Sequence, residues 1–410
     1  MNHLLPVSNN MEPAACQADR QVMAIIVASP LTQNIYDRIG VDVFSPFFRV
    51  VIIDCLDWVR HGGQKLIYKG IECQSVHKAG DESKFRQVFE RESPSFVLDF
   101  IGRGPHTRRI QDICREYNAT YIMQLLTPAP NPISQSSLLQ SFRMHPVETL
   151  AKAVRYLMRK VYEAKPRPPD IALLAGAASN SGWTDQAGKR IHTATPDYFD
   201  LLRVKKQAGE GKLPPNGLPA GDYILFIDDC LAMSFDFTLG AYRPIFEATE
   251  YFAMLNEVFG RLEKHFMLPI VVAAHPNGKE FPGYQQLFGS RTVLFDATGR
   301  LALNCSFAVT HYSSAIAYAV LLRKKILLLN SKKIKKMHQG MVIDYILMQL
   351  QCGQIEMDGD SDDSALEKFA KMEVSESSYK TYEKKYIKDV EMPGRNPFEH
   401  LLEYLVAAGR

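Results

Sequence analysis

The sequence predicts a parallel α/β fold built as two consecutive domains. Three observations carry this. From Val22 onward, continuous apolar runs of strand length alternate with helix-like segments. Strands that are apolar throughout belong in sheets covered on both faces, where neither face meets water. The rhythm halts at "KPRPPD" (165–170) and then begins again. Finally, 410 residues, 46% apolar and 23% charged, are enough chain for two ordinary globular domains.

The elements follow in order. Residues 1–20 read as a loose tail. "VMAIIVAS" is a strand, and "LTQNIYDRIGVDVFSPFF" a helix running to a turn at Ser45-Pro46. "RVVIIDCLDW" is the second strand, with "LIYKG" and "IECQSVHK" as short candidates. "DESKFRQVFERES" is a helix with acids in its first turn, where the helix dipole favours them. "SFVLDFIG", a helix "HTRRIQDICREYN" and the strand "TYIMQLL" follow. A helix over 147–164 closes this half. The prolines of "KPRPPD" remove backbone donors and fix φ, so the domain boundary is placed there. This divides the chain into 21–166, 167–392 and a C-terminal amphipathic helix over 393–410.

In the second half "DIALLAGAAS" and "KRIHTAT" are strands, and "PDYFDLLRVKKQ" starts a helix. "DYILFIDD" is a strand, "FEATEYFAMLNEVFGRLEKHF" a long helix, "LPIVVAAH" a strand. "RTVLFD", the short helix "GRLALNC", "SFAVTH", the helix "SSAIAYAVLLR" and "KKILLLN" complete the rhythm.

Charge excludes little. The net charge is +3, too mild to point to nucleic acid. Basic residues cluster at Arg323–Lys325 and at Lys332, Lys333, Lys335 and Lys336, as solvated faces or as a site for anions. With the C-terminal helix they permit peripheral contact with an inner membrane. The seven cysteines are scattered with no CxxC pair, which fits a reducing cytoplasm. No apolar run approaches the roughly 18–20 residues of a membrane span, and no signal peptide is read.

Two stretches carry the chemistry. "VVAAHPNGKEF" ends a strand on His275-Pro276. Proline turns the chain without stranding a donor and aims the imidazole in one direction. "VTHYSSAIAYAVLL" ends a strand and opens a helix on Ser313-Ser314. Serine caps helices, and a helix start also presents unpaired N–H groups to an anion. His145-Pro146 repeats the dipeptide, but there the proline opens a helix and no function is assigned. Ligands of open α/β sheets bind beyond the strand carboxyl ends, where both stretches lie.

The pairing of His275-Pro276 with Ser313-Ser314 resembles the HP and paired Ser/Thr motifs of bacterial sialyltransferases and related surface-polysaccharide transferases. The likeness covers roughly residues 170–330. It implies two Rossmann-like domains facing a cleft, a GT-B-like architecture. It also implies a donor that carries a sialic, pseudaminic or legionaminic type sugar on CMP, with CMP-Kdo or a nucleotide-diphosphate sugar as alternatives. The implied acceptor is a glycan or lipid-linked oligosaccharide. His275, Pro276, Asn277, Ser313 and Ser314 would hold the CMP, with Gly176 in the small-residue turn beside them. No cofactor beyond the donor and no metal are implied. "DGDSDDSALEKF" (358–369) imitates a calcium loop but has Asp363 at the sixth position and Phe369 at the twelfth, so it is read as an exposed acidic loop before a helix.

An inverting transfer needs a base. In the resembled enzymes it comes from the N-terminal domain, where some relatives show an acidic pair followed by glycine, and this half has no such triplet. Asp99 is the first candidate, ahead of a glycine-bearing loop, with Asp228 and Asp229 next and Asp37 and Asp42 as outsiders. Arg103 and His106 in the Asp99 loop are read as contacts for an acidic sugar. A binding module that keeps the fold without catalysis is the rival class.

Overall fold

In the computed structural model, residues 20–59, 71, 74–102, 104, 106–130, 166–212, 221–233, 246–359, 363–389, 391–394 and 396–408 are described. Two open sheets organise them. The first holds β1 (Val22–Val27), β2 (Arg49–Asp54), β3 (Val76–Lys78), β4 (Phe96–Asp99), β5 (Thr120–Leu125), β6 (Ile171–Ala175) and β7 (Lys189–Thr193). Its order is β3-β2-β1-β4-β5-β6-β7. The second holds β8 (Ile224–Ile227), β9 (Ile270–Ala274), β10 (Thr292–Phe295), β11 (Phe307–Thr310), β12 (Lys325–Asn330) and β13 (Gly353–Glu356). Its order is β10-β9-β8-β11-β12-β13. Every pairing is parallel.

Side-chain alternation explains why β1 is apolar throughout. Val22, Ala24 and Ile26 join one core cluster, while Met23, Ile25 and Val27 join another across the sheet. Successive strand residues point to opposite faces, so a strand covered on both sides has no polar position. The second sheet shares one large core with the helices Pro196–Gly209 and Ala248–Phe266.

The expected boundary at 166/167 moves. Ile171 pairs with Ile122 and Leu174 with Leu125, so β6 and then β7 extend the first sheet. Prolines interrupt a helix, but they do not prevent the next strand from joining an existing edge. The passage to the second unit comes instead at 193–196, where Thr195 N–H donates to the Ile387 carbonyl at 3.0 Å. The C-terminal helix Pro397–Ala407 also returns to the first sheet, burying Phe398, Leu401 and Leu405 there. Its apolar face is thus part of the core.

The first predicted helix splits into Gln33–Arg38 and Val41–Phe44 at Gly40. Gly40 has φ 85°, and a Cβ there would lie 2.7 Å from the Phe398 ring. β13 and the helices His338–Leu350 and Glu376–Tyr386 have no clear signature in the sequence. The "LIYKG" strand and the 147–164 helix lie outside the described residues. Among the described residues, no helix is long and apolar enough to cross a membrane.

Candidate functional site

Both sheets reverse direction of strand addition beside their first strand. In the second sheet the reversal lies between β8 and β11, which are paired from Phe307 to Val309. Crevices at the carboxyl ends of such strands are the binding places of open α/β sheets.

β8 is followed directly by Asp228 and Asp229, and Cys230 at φ 52° turns the chain away. Asp228 is 3% exposed. Its Oδ1 accepts from the Cys230 N–H at 2.9 Å. Its Oδ2 accepts from the His275 N–H at 2.9 Å and from the Tyr284 hydroxyl at 2.7 Å. The next residue serves the neighbouring loop. Asp229 Oδ2 accepts from the His311 N–H at 3.1 Å and the Tyr312 N–H at 3.2 Å. The acid pair therefore fastens the turn after β9 and the turn after β11 to one strand end.

Pro276 opens a 3-10 turn over Pro276–Glu280. His275 Nδ1 accepts from the Asn277 N–H at 3.1 Å. The accepting nitrogen carries no proton, so the neutral ring holds its hydrogen on Nε2 as a donor. The His275 carbonyl accepts from the Gly278 N–H at 2.8 Å. Only glycine fits at 278, since a Cβ would sit 2.5 Å from the Tyr284 ring.

The serine helix starts later than expected. It spans Ile316–Leu321, and Ser313 and Ser314 form the turn before it. Ile316 N–H donates to the Ser313 carbonyl at 3.1 Å and Ala317 N–H to the Ser314 carbonyl at 3.2 Å. Among the described residues the Ser313 and Ser314 amides have no acceptor. Two amides and two hydroxyls therefore sit on one turn. Ser314 is exposed and Ser313 half-buried.

His311 holds this turn from below. It is fully buried, with Nδ1 on the Leu329 carbonyl at 2.9 Å and Nε2 on the Tyr251 hydroxyl at 3.0 Å. Burial pushes its pKa down to about 4, so the ring is neutral. Asp229 moves the other way. Loss of solvent pushes its carboxyl up to about 7, against the Tyr312 and His311 amides and the Ser313 hydroxyl, with Asp228 adding to the rise.

Other expected site residues lie elsewhere. Asp99 ends β4 at the reversal point of the first sheet but is 0% exposed. Its Oδ1 accepts from the Ile101 N–H at 2.6 Å, and its Oδ2 from the Tyr121 hydroxyl. This corrects the expectation of an accessible base: the carboxyl has its partners and organises its loop. Burial pushes its pKa up to about 6. The loop itself is open, since a Cβ on Gly102 or Gly104 would meet nothing within 4 Å. Thr107 closes it, accepting from the Gly104 N–H at 2.7 Å and donating to the Gly102 carbonyl at 3.1 Å. His106 is half-buried there, 5.4 Å from Trp58 in an edge contact. Arg103 lies outside the described residues.

Gly176 is also corrected. It follows β6 in the first sheet, and a Cβ would sit 2.7 Å from the Lys385 carbonyl. The place a side chain would take is occupied by the backbone at Lys385, Tyr386 and Ile387. Asp37 and Asp42 are exposed, on the short helices Gln33–Arg38 and Val41–Phe44 that follow β1. Three of the seven basic residues in the two runs have acidic partners. Arg323 meets Glu376 and Glu383, Lys333 meets Glu250, and Lys335 meets Glu356.

The sequence reading overlooked Tyr284, Gly278, Tyr251 and the supporting role of His311. The one available signal was His311 ending the strand directly before Tyr312-Ser313-Ser314.

Two consecutive parallel sheets, both ordered 3-2-1-4-5-6 from their own first strand and the first extended by a seventh, define a GT-B-like fold of Rossmann-type units. Among solved structures, the chain is similar in fold to a variant of the wall teichoic acid polymerase TagF, with a TM-score of 0.51 and 13% identity over 95% of this chain and 88% of that one. Acinetobacter baumannii MurG aligns at 0.47 and 10% identity over 95% and 99% of the two chains. The UDP-GlcNAc 2-epimerase from Methanocaldococcus jannaschii aligns at 0.46 and 10% identity over 94% and 100%. No protein-family model matches the sequence, and no curated protein matches it.

Proposed function

We propose that this chain is an inverting glycosyltransferase that moves an acidic nine-carbon sugar from CMP to a glycan acceptor of the cell surface. One observation supports it above the others: Asp228 and Asp229 bind the His275 turn and the Ser313–Ser314 turn to the same strand end. The two turns carry an Nε2–H donor, two serine hydroxyls and two amides. They suit a phosphate monoanion and the charge that grows on it as the sugar leaves. The resemblance of the HP and serine motifs supplies the CMP-sugar class.

The step balances simply. An acceptor hydroxyl gives its proton to a base, and its oxygen attacks the anomeric carbon. The bond from that carbon to the phosphate oxygen breaks, and its electron pair leaves with CMP. With Asp99 enclosed, the proposal assigns the base to His106, in the open loop after β4. The proposal assigns no metal, because a departing monophosphate needs less compensating charge than a diphosphate.

The second reading is a nucleotide-diphosphate donor; the wall teichoic acid polymerase TagF has also been soaked with CDPG. Calorimetry with CMP, CDP and UMP separates the two. CMP binding that weakens at least about tenfold in His275→Ala and in Ser314→Ala is expected, since each removes a hydrogen bond to a charged group. Unchanged affinity in both variants overturns the donor site. Preference for CDP transfers the site to the second reading. Incubation with a panel of CMP-sugars, CMP-Kdo included, then names the sugar by which donor releases CMP.

A further inference from the structure

We infer that Asp229 is the positioning residue of the serine turn, and that its carboxyl takes up a proton when an anion settles on that turn. This rests on the donor-site reading above and adds a proton to it.

The geometry is asymmetric. Asp229 Oδ2 holds the His311 and Tyr312 amides. Oδ1 is shut off from solvent and has no hydrogen-bond partner among the described residues. A carboxylate there leaves half of its charge uncompensated. Apart from the Ser313 hydroxyl, which offsets the cost only in part, the surroundings offer little relief. On its own strand end stand Asp228, which already accepts three hydrogen bonds, and the buried thiol of Cys230. Across from it, the turn after β11 presents His311, Tyr312 and Ser313, and His311 is neutral. The helix Ala248–Phe266 presents Tyr251, and the turn after β9 presents His275 and Tyr284. No cation is among the groups acting on the Asp229 carboxyl.

A phosphate on Ser313 and Ser314 brings a second negative charge next to this carboxyl. Like charges drive the weaker acid to hold its proton. The proton comes from solvent and its place is Oδ1. The charged carboxyl also draws the Ser313 hydroxyl toward itself. Once neutral it releases that hydroxyl to the anion. Proton uptake and the supply of a donor to the ligand are then one event. Asp229 has a free pKa of about 7, so the exchange falls near neutral pH.

The test uses the full chain and the methyl ester of CMP. This phosphodiester keeps a single charge near neutral pH, so the ligand does not titrate. Calorimetry at about pH 7.5, in buffers of different ionisation enthalpy, counts protons. We expect the wild type to take up a fraction of a proton, up to about three-quarters of one, per ligand, since about a quarter of the free carboxyls already hold it at that pH. Its affinity should fall as pH rises, approaching tenfold per pH unit above about pH 7. Asp229→Asn should bind with no uptake and a flat pH profile. A wild-type enthalpy equal in all buffers, or uptake that persists in Asp229→Asn, overturns the inference while the donor site stands. No binding by the wild type removes the donor site and this inference together. Should Asp229→Asn not fold, infrared difference spectra of the wild type decide. A new protonated-carboxyl band on binding supports the inference, and its absence overturns it.

Discussion

The Asp228 carboxylate accepts the backbone N–H of His275 at 2.9 Å, across the gap between β8 and β9. The same oxygen takes the Tyr284 hydroxyl. The direction of the imidazole is therefore set by an acid 47 residues earlier in the chain as well as by Pro276. Asp228→Ala should strand three buried donors. The expected loss is roughly 2–3 kcal/mol of stability or more, together with weaker CMP binding. Urea denaturation and calorimetry read both. Full stability would show that water replaces the carboxylate and that Asp228 does not organise the turn.

Gly278 tests the same assembly from the other side. An alanine methyl would enter the Tyr284 ring. The ring must move, and its hydroxyl then leaves Asp228. Gly278→Ala should cost about 1–3 kcal/mol, as overpacked sites do. It should also weaken nucleotide binding without touching the ligand. A variant with normal affinity and a normal urea midpoint would contradict the contact.

Asp99 has a pH signature. Its folded pKa of about 6 lies above the usual 3.8 because it is buried. The folded state therefore binds the proton more tightly than the unfolded chain. Its ionisation costs stability progressively as pH rises from about 4 to about 6, and the cost stays constant above that. Asp99→Asn should remove this part of the slope in a plot of Tm against pH. Parallel wild-type and variant profiles over that window would refute the burial argument.

The His106 assignment is checked kinetically. His106→Ala should lower turnover of a CMP-sugar by about 10²–10⁴-fold, the usual contribution of a general base. CMP affinity should not change, because the residue belongs to the first unit. Turnover near the wild-type value would transfer the base elsewhere.

Membrane docking was an expectation from the basic runs and the C-terminal helix. Acidic partners for Arg323, Lys333 and Lys335 and the buried face of Pro397–Ala407 argue against it. The chain should remain at the bottom of a flotation gradient with anionic liposomes. Co-flotation that disappears in high salt would revive the docking surface.

Local pattern was enough for most strands, because a strand covered on both faces must be apolar at every position. It was enough, too, to single out His275-Pro276 and Ser313-Ser314, since each interrupts an apolar run at a strand end. It could not say which sheet β6 and β7 join. Their residues suit either sheet, and only the ladder to β5 decides. Nor could it find what Asp228 and Asp229 do. Their partners lie 47 to 83 residues further on and become neighbours only when β9 and β11 close on either side of β8. For Asp99 the type of residue and its place at a strand end were legible. Its enclosure by Tyr121 was not, because burial is a property of the packed sheet.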